Sequence, residues 1–303
     1  MLKLGIDIGG TKIGLGLLGE NNSLLAHSRL AVADIVSVGN DIKRATEALC
    51  ESAGVLLSDI GSIGIGIPGT VSEDGRKILK APNISLIGDD FTSVIEKALG
   101  VSVFLVQDSR AGALGEYVCG GGKGSKTLIC FTLGTGIGTG IVIDGKIYNG
   151  GLGSAGELGH VPVIEDGRPC GCGKRGCLEK YCAGLGLEIT AKELFGTDAD
   201  SKLLFIKAKM GAPAAKTAIA SAVNVLGQAI VSALNLLSPD CVLFSGGLSE
   251  EKSYLVPLID YVKEHCYVSE ALPKIAKAEL GELSPLIGAA LFPEYLAVRE
   301  SNP

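Results

Sequence analysis

LKLGIDIGGTKIGLGLL, Leu2–Leu18, reads as a hairpin: apolar runs at Leu2–Ile8 and Ile13–Leu18 flank the turn Gly9-Gly10-Thr11-Lys12. Asp7 stands just before the turn. Bare backbone N–H groups, the Thr11 hydroxyl and the Lys12 cation can hold a phosphate there, while Asp7 addresses a phosphate-bound Mg²⁺. An ordinary tight hairpin explains the same residues, since neither G-x-G-x-x-G nor a P-loop is present. The design recurs, however. Thr127–Leu133 is an apolar run, Gly134-Thr135-Gly136-Ile137-Gly138 a second glycine and threonine turn, and Thr139–Ile143 a second strand closed by Asp144-Gly145. Two matching hairpins, one opening each half, predict a duplicated α/β fold whose turns face one cleft and hold a nucleotide from both sides.

Composition sets the class. A chain of 303 residues with 47% apolar content has ample core for two lobes. Aromatics make up 5%, tryptophan is absent and glycine numbers 44, which points to tight turns and close backbone approaches rather than stacking platforms. A net charge of −6 argues against a nucleic-acid partner. No apolar run approaches the roughly 20 residues that span a bilayer, and Met1 leads straight into a strand-like segment. A cytosolic protein with no membrane partner is expected.

The cysteines are concentrated at Gly156–Glu179, GELGHVPVIEDGRPCGCGKRGCLE. Cys170, Cys172 and Cys177 form C-x-C-x4-C with His160 upstream, one nitrogen and three sulfurs suited to a tetrahedral structural Zn²⁺. Cys170, Cys172, Cys177 and Cys182 form a rival all-thiolate set. Nine cysteines without a regular framework favour metal over disulfides in a reducing compartment, and Cys50, Cys119, Cys130, Cys241 and Cys266 read as buried small hydrophobes. Glu157 and Glu179 bracket the metal ligands.

Two apparent nucleotide motifs are set aside. In Gly64-Ile-Gly66-Ile-Pro-Gly69 the first two glycines lie inside a strand and Pro68 with the following TVSEDG opens no helix, and Gly140–Lys146 is followed by Ile147 where a P-loop needs Ser or Thr. The strand Val101–Val106 ends at Gln107 and Asp108, where ligands of open α/β sheets lie. Helix N-capping explains Asp108 equally well. The strand Cys241–Phe244 runs into Ser245-Gly246-Gly247, bare backbone against which a base or ribose can lie. Ser284–Leu291, with Gly288-Ala289-Ala290, reads as a small-residue helix returning the chain to the first lobe.

DIGGTK at Asp7–Lys12, LGTGIGTG at Leu133–Gly140, FSGG at Phe244–Gly247 and the GELGH to CGCGKRGCLE stretch together resemble the ROK family of sugar kinases and repressors. The resemblance spans nearly the whole chain. It implies a two-lobed actin/hexokinase-like, ribonuclease H-like ATPase fold with a zinc-binding loop. The first lobe would be residues 1–116 completed by 289–303, and the second 117–288. It also implies an ATP-dependent hexose kinase, glucokinase-like, acting at the 6-hydroxyl and assembled as a homodimer or homotetramer. ATP and Mg²⁺ would meet Asp7, Gly9, Gly10, Thr11, Lys12, Gly134, Thr135, Gly136, Gly246 and Gly247. Asp108 would be the catalytic base, and Asn83, Gln107, Asp108, Glu157, His160 and Glu179 would bind the sugar. His160 would also join Cys170, Cys172 and Cys177 on Zn²⁺. Six residues precede Asp7, so the DNA-binding helices of the family's repressors are not expected. Gln107 replaces the Asn that glucokinases of the family carry, and Arg110 adds a nearby cation, which leaves glucose in competition with fructose, allose, mannose, N-acetylglucosamine and N-acetylmannosamine. Neither glycine turn requires zinc on this reading, so chelation is expected to weaken sugar binding more than ATP binding.

Overall fold

A computed structural model of the chain describes residues 1–80, 91–267 and 271–301. The chain divides into two compact units, one of residues 1–124, 140–155 and 283–303, the other of residues 125–139 and 156–282.

The first unit opens with β1 (Leu2–Ile8), β2 (Lys12–Leu18) and β3 (Leu24–Ala31), followed by α1 (Val38–Ala53) and β4 (Ile60–Ile67). A short ribbon of β5 (Thr70–Val71) and β6 (Ile78–Lys80) precedes α2 (Phe91–Leu99), β7 (Val103–Gln107) and α3 (Asp108–Cys119). The sheet order is β3-β2-β1-β4-β7, antiparallel through the opening hairpin and parallel from β1 through β4 to β7. Leu4, Ile6, Ile63, Ile65, Val103 and Leu105 are buried in it against Ile42 and Leu49 of α1 and Ile95 of α2.

The remaining strands and helices are β8 (Thr127–Leu133), β9 (Ile137–Ile143), β10 (Lys146–Ile147), α4 (Glu179–Cys182), α5 (Gly184–Phe195), α6 (Ser201–Lys209), α7 (Pro213–Leu237), β11 (Cys241–Ser245), α8 (Lys252–His265), β12 (Lys274–Lys277) and α9 (Ser284–Ser301). The second sheet, β10-β9-β8-β11-β12, repeats the strand order of the first, with β8 taking the place of β1 and β11 that of β4. Phe131 and Phe244 stack across it with centroids 5.7 Å apart.

The density of glycine in the opening hairpin has a packing cause. Gly16, Gly5 and Gly64 are register partners across β2, β1 and β4. A Cβ on any of them would lie about 2 Å or less from α9: 2.1 Å from Leu286 O at Gly5, 2.0 Å from Leu286 Cδ1's sister carbon Cδ2 at Gly16, and 1.7 Å from Ala289 O at Gly64. The row is a groove for α9. Gly64 therefore serves helix seating, in line with the rejection of a dinucleotide fingerprint there. Gly288 likewise lets α9 meet α3, where its Cβ would lie 1.7 Å from Ala111 O. The buried Glu116 closes this packing, accepting from Ser284 Oγ at 2.6 Å and from Gly121 N–H at 2.9 Å.

Several boundaries differ from expectation. The second turn is the three residues Gly134-Thr135-Gly136, because β9 already begins at Ile137. The helical stretch after Cys177 is two helices, broken at Ala183, which is extended at φ −89° and ψ 173°. Cys119 and Cys266 are half-buried at helix ends, unlike the buried Cys50, Cys130 and Cys241. α7 is long and apolar enough to cross a membrane by length and composition alone. Its buried Ile219, Val223, Leu226, Ile230 and Leu234 recur at helical spacing on one face, the pattern of a helix packed on a core.

Candidate active site

In the first unit, β1, β4 and β7 end side by side. Asp7 pairs in register with Gly66, and Gly66 with Val106, so Asp7 and the Gln107-Asp108 step lie at the same sheet edge. A Cβ at Gly66 would be 3.4 Å from Asp7 Oδ1 and 3.8 Å from the Asp108 Cα. The bare backbone of Gly66 thus lies between the Asp7 carboxylate and the main chain at Asp108. Gln107, not Asp108, occupies the helix N-cap position, and its side chain makes no capping bond. Asp108 is the first residue of α3, its Oδ1 accepting from Ser109 N–H at 2.6 Å. Asp108 thus meets a first-turn N–H of α3 from inside the helix and not from the N-cap position.

Burial, then repulsion from Asp108, push the Asp7 carboxyl up to about 7, against the opposing pull of Arg29. Arg29 is in line with Asp7 through Gly14, the three pairing successively across β1, β2 and β3. A divalent cation offsets both penalties, so this donor fits Mg²⁺. The shift also has a sign for stability. Between the ordinary value of 3.8 and about 7, folded Asp7 keeps a proton that the unfolded chain has released, so stability falls as pH rises through that window and stays low above it. Asp7→Asn is expected to remove that loss, gaining on the order of 2–4 kcal/mol at pH 8 relative to pH 4. Urea unfolding of both proteins at the two pH values measures it, and an identical pH dependence would sink the assignment.

The turn before β2 is closed by Gly9 N–H on Lys12 O at 2.9 Å, and Gly10, Thr11 and Lys12 are exposed. Arg110, expected as a cation near the sugar, donates to the carbonyls of Gly153 at 2.7 Å and Ala155 at 3.3 Å. Its charge holds the 153–155 backbone. Gln107, Arg110, Thr70, Asn149, Ile147 and Tyr295 are among the residues around a cavity of about 310 Å³ inside this unit. Asn83 lies outside the described residues.

In the second unit, the ligand atoms of His160, Cys170, Cys172 and Cys177 all fall within 4.8 Å of one another. Cys170 Sγ to His160 Nδ1 is 3.6 Å, and Cys172 Sγ to Cys177 Sγ is 3.6 Å. Zinc bond lengths of about 2.3 Å to sulfur and about 2.0 Å to nitrogen give tetrahedron edges of about 3.8 and about 3.5 Å. The cluster is compatible with zinc. Cys182 is not part of it: buried beside α7, its thiol is pushed up to about 12, chiefly by that burial. His160 Nδ1 faces the thiols while Nε2 lies 3.8 Å from Glu157 Oε2. Glu179 Oε1 meets Cys170 Sγ at 3.2 Å and lies 3.9 Å from His160 Nδ1. The two glutamates and His160 are therefore brought together, as are the turns of β8 and β11. Gly246, at φ 86°, would place a Cβ 2.6 Å from Leu133 O, and Thr132 Oγ1 lies 3.1 Å from Ser245 Oγ. At Gly134 and Gly247 a Cβ would meet nothing within 4 Å. Both present backbone to open space.

The sequence profile of the ROK family matches residues 3–294. The chain belongs to the ROK family. It is 31% identical over 309 residues to a glucokinase of Streptomyces coelicolor, covering 95% of this chain and 96% of that one. It is equally 31% identical, over 301 residues and 95% of both chains, to the N-acetylgalactosamine kinase AgaK of a Shewanella species. A crystal structure of a ROK family glucokinase from Streptomyces griseus in complex with glucose and AMPPNP superposes with a TM-score of 0.80 at 30% identity, over 96% of this chain and 99% of that one. The actin/hexokinase-like architecture follows. Beyond the motifs of this ROK chain, sequence reasoning missed Gly66 and Arg29. Arg29 was recoverable, because the alternation of Leu24–Ala31 and the hairpin register place it in line with Asp7.

Proposed function

We propose that this ROK-family protein is an ATP-dependent sugar kinase that phosphorylates the 6-hydroxyl of a hexose, with glucose the first candidate. The observation that carries the reading is the pair Asp7 and Asp108 across Gly66 at the carboxyl ends of β1, β4 and β7, beside an exposed glycine turn. Asp108 takes the proton of the sugar hydroxyl as its oxygen bonds to the γ-phosphorus and the β,γ-bridging bond breaks, releasing ADP. Mg²⁺ on the phosphates would spread the charge that develops there, with Asp7 as its protein-side carboxylate. The backbone of Gly9–Lys12 and Gly134–Gly136 would hold phosphates, and Gly246-Gly247 the nucleoside. Asn83, Gln107, Glu157, His160 and Glu179 would grip the sugar hydroxyls, with zinc holding His160 through Nδ1 and leaving Nε2 for the substrate.

One observation favours a second substrate class. Gln107 and Asn149 border the first-unit cavity, which has room and amide donors for an N-acetyl substituent, and the AgaK relative acts on such a sugar. A coupled assay with ATP across hexoses and N-acetylhexosamines tests both. Glucose is expected to show the highest kcat/KM. A higher value for an N-acetylated sugar selects the second reading, and turnover of no sugar rejects the kinase.

A further inference from the structure

The hydrogen bonds that seat the second glycine turn come from the segment that follows the metal cluster, all within the second unit. Cys177 passes through Leu178 directly into α4, and α4 ends at the start of α5. There Gly184 N–H donates to Gly134 O at 2.8 Å and Leu185 N–H to Thr135 O at 3.1 Å. Glu179 of α4, whose carboxylate meets Cys170 Sγ, fills the space beside the same turn: a Cβ at Gly136 would lie 2.7 Å from its Oε2. Gly184 admits no side chain without displacing the turn, since its Cβ would lie 2.9 Å from Gly134 O. Arg168, on the loop between His160 and Cys170, clasps this segment by donating to Lys180 O at 2.8 Å and Gly186 O at 3.0 Å, with its guanidinium 4.9 Å from the Tyr181 ring centre. Inside the turn the bond Gly134 N–H to Gly136 O, at 3.0 Å, is the local support.

We propose that the metal-binding loop and α4 form a strut that sets the shape of the Gly134–Gly136 turn, so that the metal cluster controls nucleotide affinity as well as the placement of Glu157 and Glu179. The inference rests on the reading of that turn as a phosphate loop. A glycine-rich turn has many accessible conformations, and fixing its carbonyls from outside removes most of them before the phosphate arrives. Releasing the strut lowers the fraction of turn that is competent, and the apparent affinity falls in proportion. Chelation is then expected to weaken nucleotide and sugar binding together, in contrast to the expectation from sequence.

The test uses the intact protein as isolated, its chelated form, and Gly184→Ala, a substitution that favours α5 and leaves the four ligands untouched. Metal content, AMPPNP affinity by calorimetry and amide hydrogen exchange of residues 134–138 are measured on each. Gly184→Ala is expected to keep its metal while AMPPNP binding weakens by about tenfold and exchange over 134–138 accelerates by at least as much. The chelated protein is expected to show both changes. If Gly184→Ala does not fold, the chelated protein and Arg168→Ala carry the same two readouts. Unchanged exchange at 134–138 in these forms overturns the strut. Faster exchange with unchanged AMPPNP affinity overturns instead the assignment of the turn to phosphate, and with it the control of nucleotide binding.

Discussion

Asp108→Asn is expected to leave a folded protein that binds sugar and nucleotide and to lower kcat by about 10²–10⁴. Asn has the shape of Asp and keeps an Oδ1 to accept the Ser109 N–H bond, so the start of α3 is preserved. What disappears is the acceptor for the hydroxyl proton in the transition state. A group acting only there lowers kcat and kcat/KM together and spares ground-state binding. Saturating-substrate kinetics and direct sugar titration separate the two. Near-normal kcat would reject Asp108 as the base. The variant carries a second signature: the Asp108 charge helps push Asp7 up, so Asp7 is expected to titrate lower once it is gone.

Cys177→Ala is expected to lose essentially all bound metal and to unfold at a temperature at least ~5 °C lower, as a lost constraint of a few kcal/mol implies in a chain of this size. Cys177 is fully buried, and its Sγ is 3.6 Å from Cys172 Sγ, so three remaining ligands cannot close a tetrahedral shell. His160→Ala is expected to lose metal as well, and Cys182→Ala to retain it. Elemental analysis of the three purified variants decides. Full metal retention in His160→Ala together with loss in Cys182→Ala would restore the all-thiolate set that the geometry disfavours.

Much of the molecule is legible from local pattern. The Asp7–Lys12 turn, the glycine and threonine turn opening at Gly134, the cysteine spacing and the strand ending at Gln107 each announce themselves within a dozen residues, because turn chemistry and ligand spacing are local properties. The short edge strand β12 and the ribbon β5-β6 went unread, since two to four residues hold no measurable period. The edge strand β3 was missed for another reason: its half-buried face alternates, but polar residues dilute the apolar signal.

The sequence by itself determined the duplicated hairpins, the family and the three thiols Cys170, Cys172 and Cys177 common to both candidate ligand sets, all of which follow from residue type and spacing along one chain. Tertiary structure decided what spacing cannot encode. It placed His160 and not Cys182 among the thiols, gave the charge of Arg110 to the carbonyls of Gly153 and Ala155, and set Asp7 against Asp108 across Gly66. It also tied the second glycine turn to α4 and α5 through backbone N–H groups. Every non-proline residue carries the same N–H, so no side-chain pattern in Gly184-Leu185 could have announced that bond.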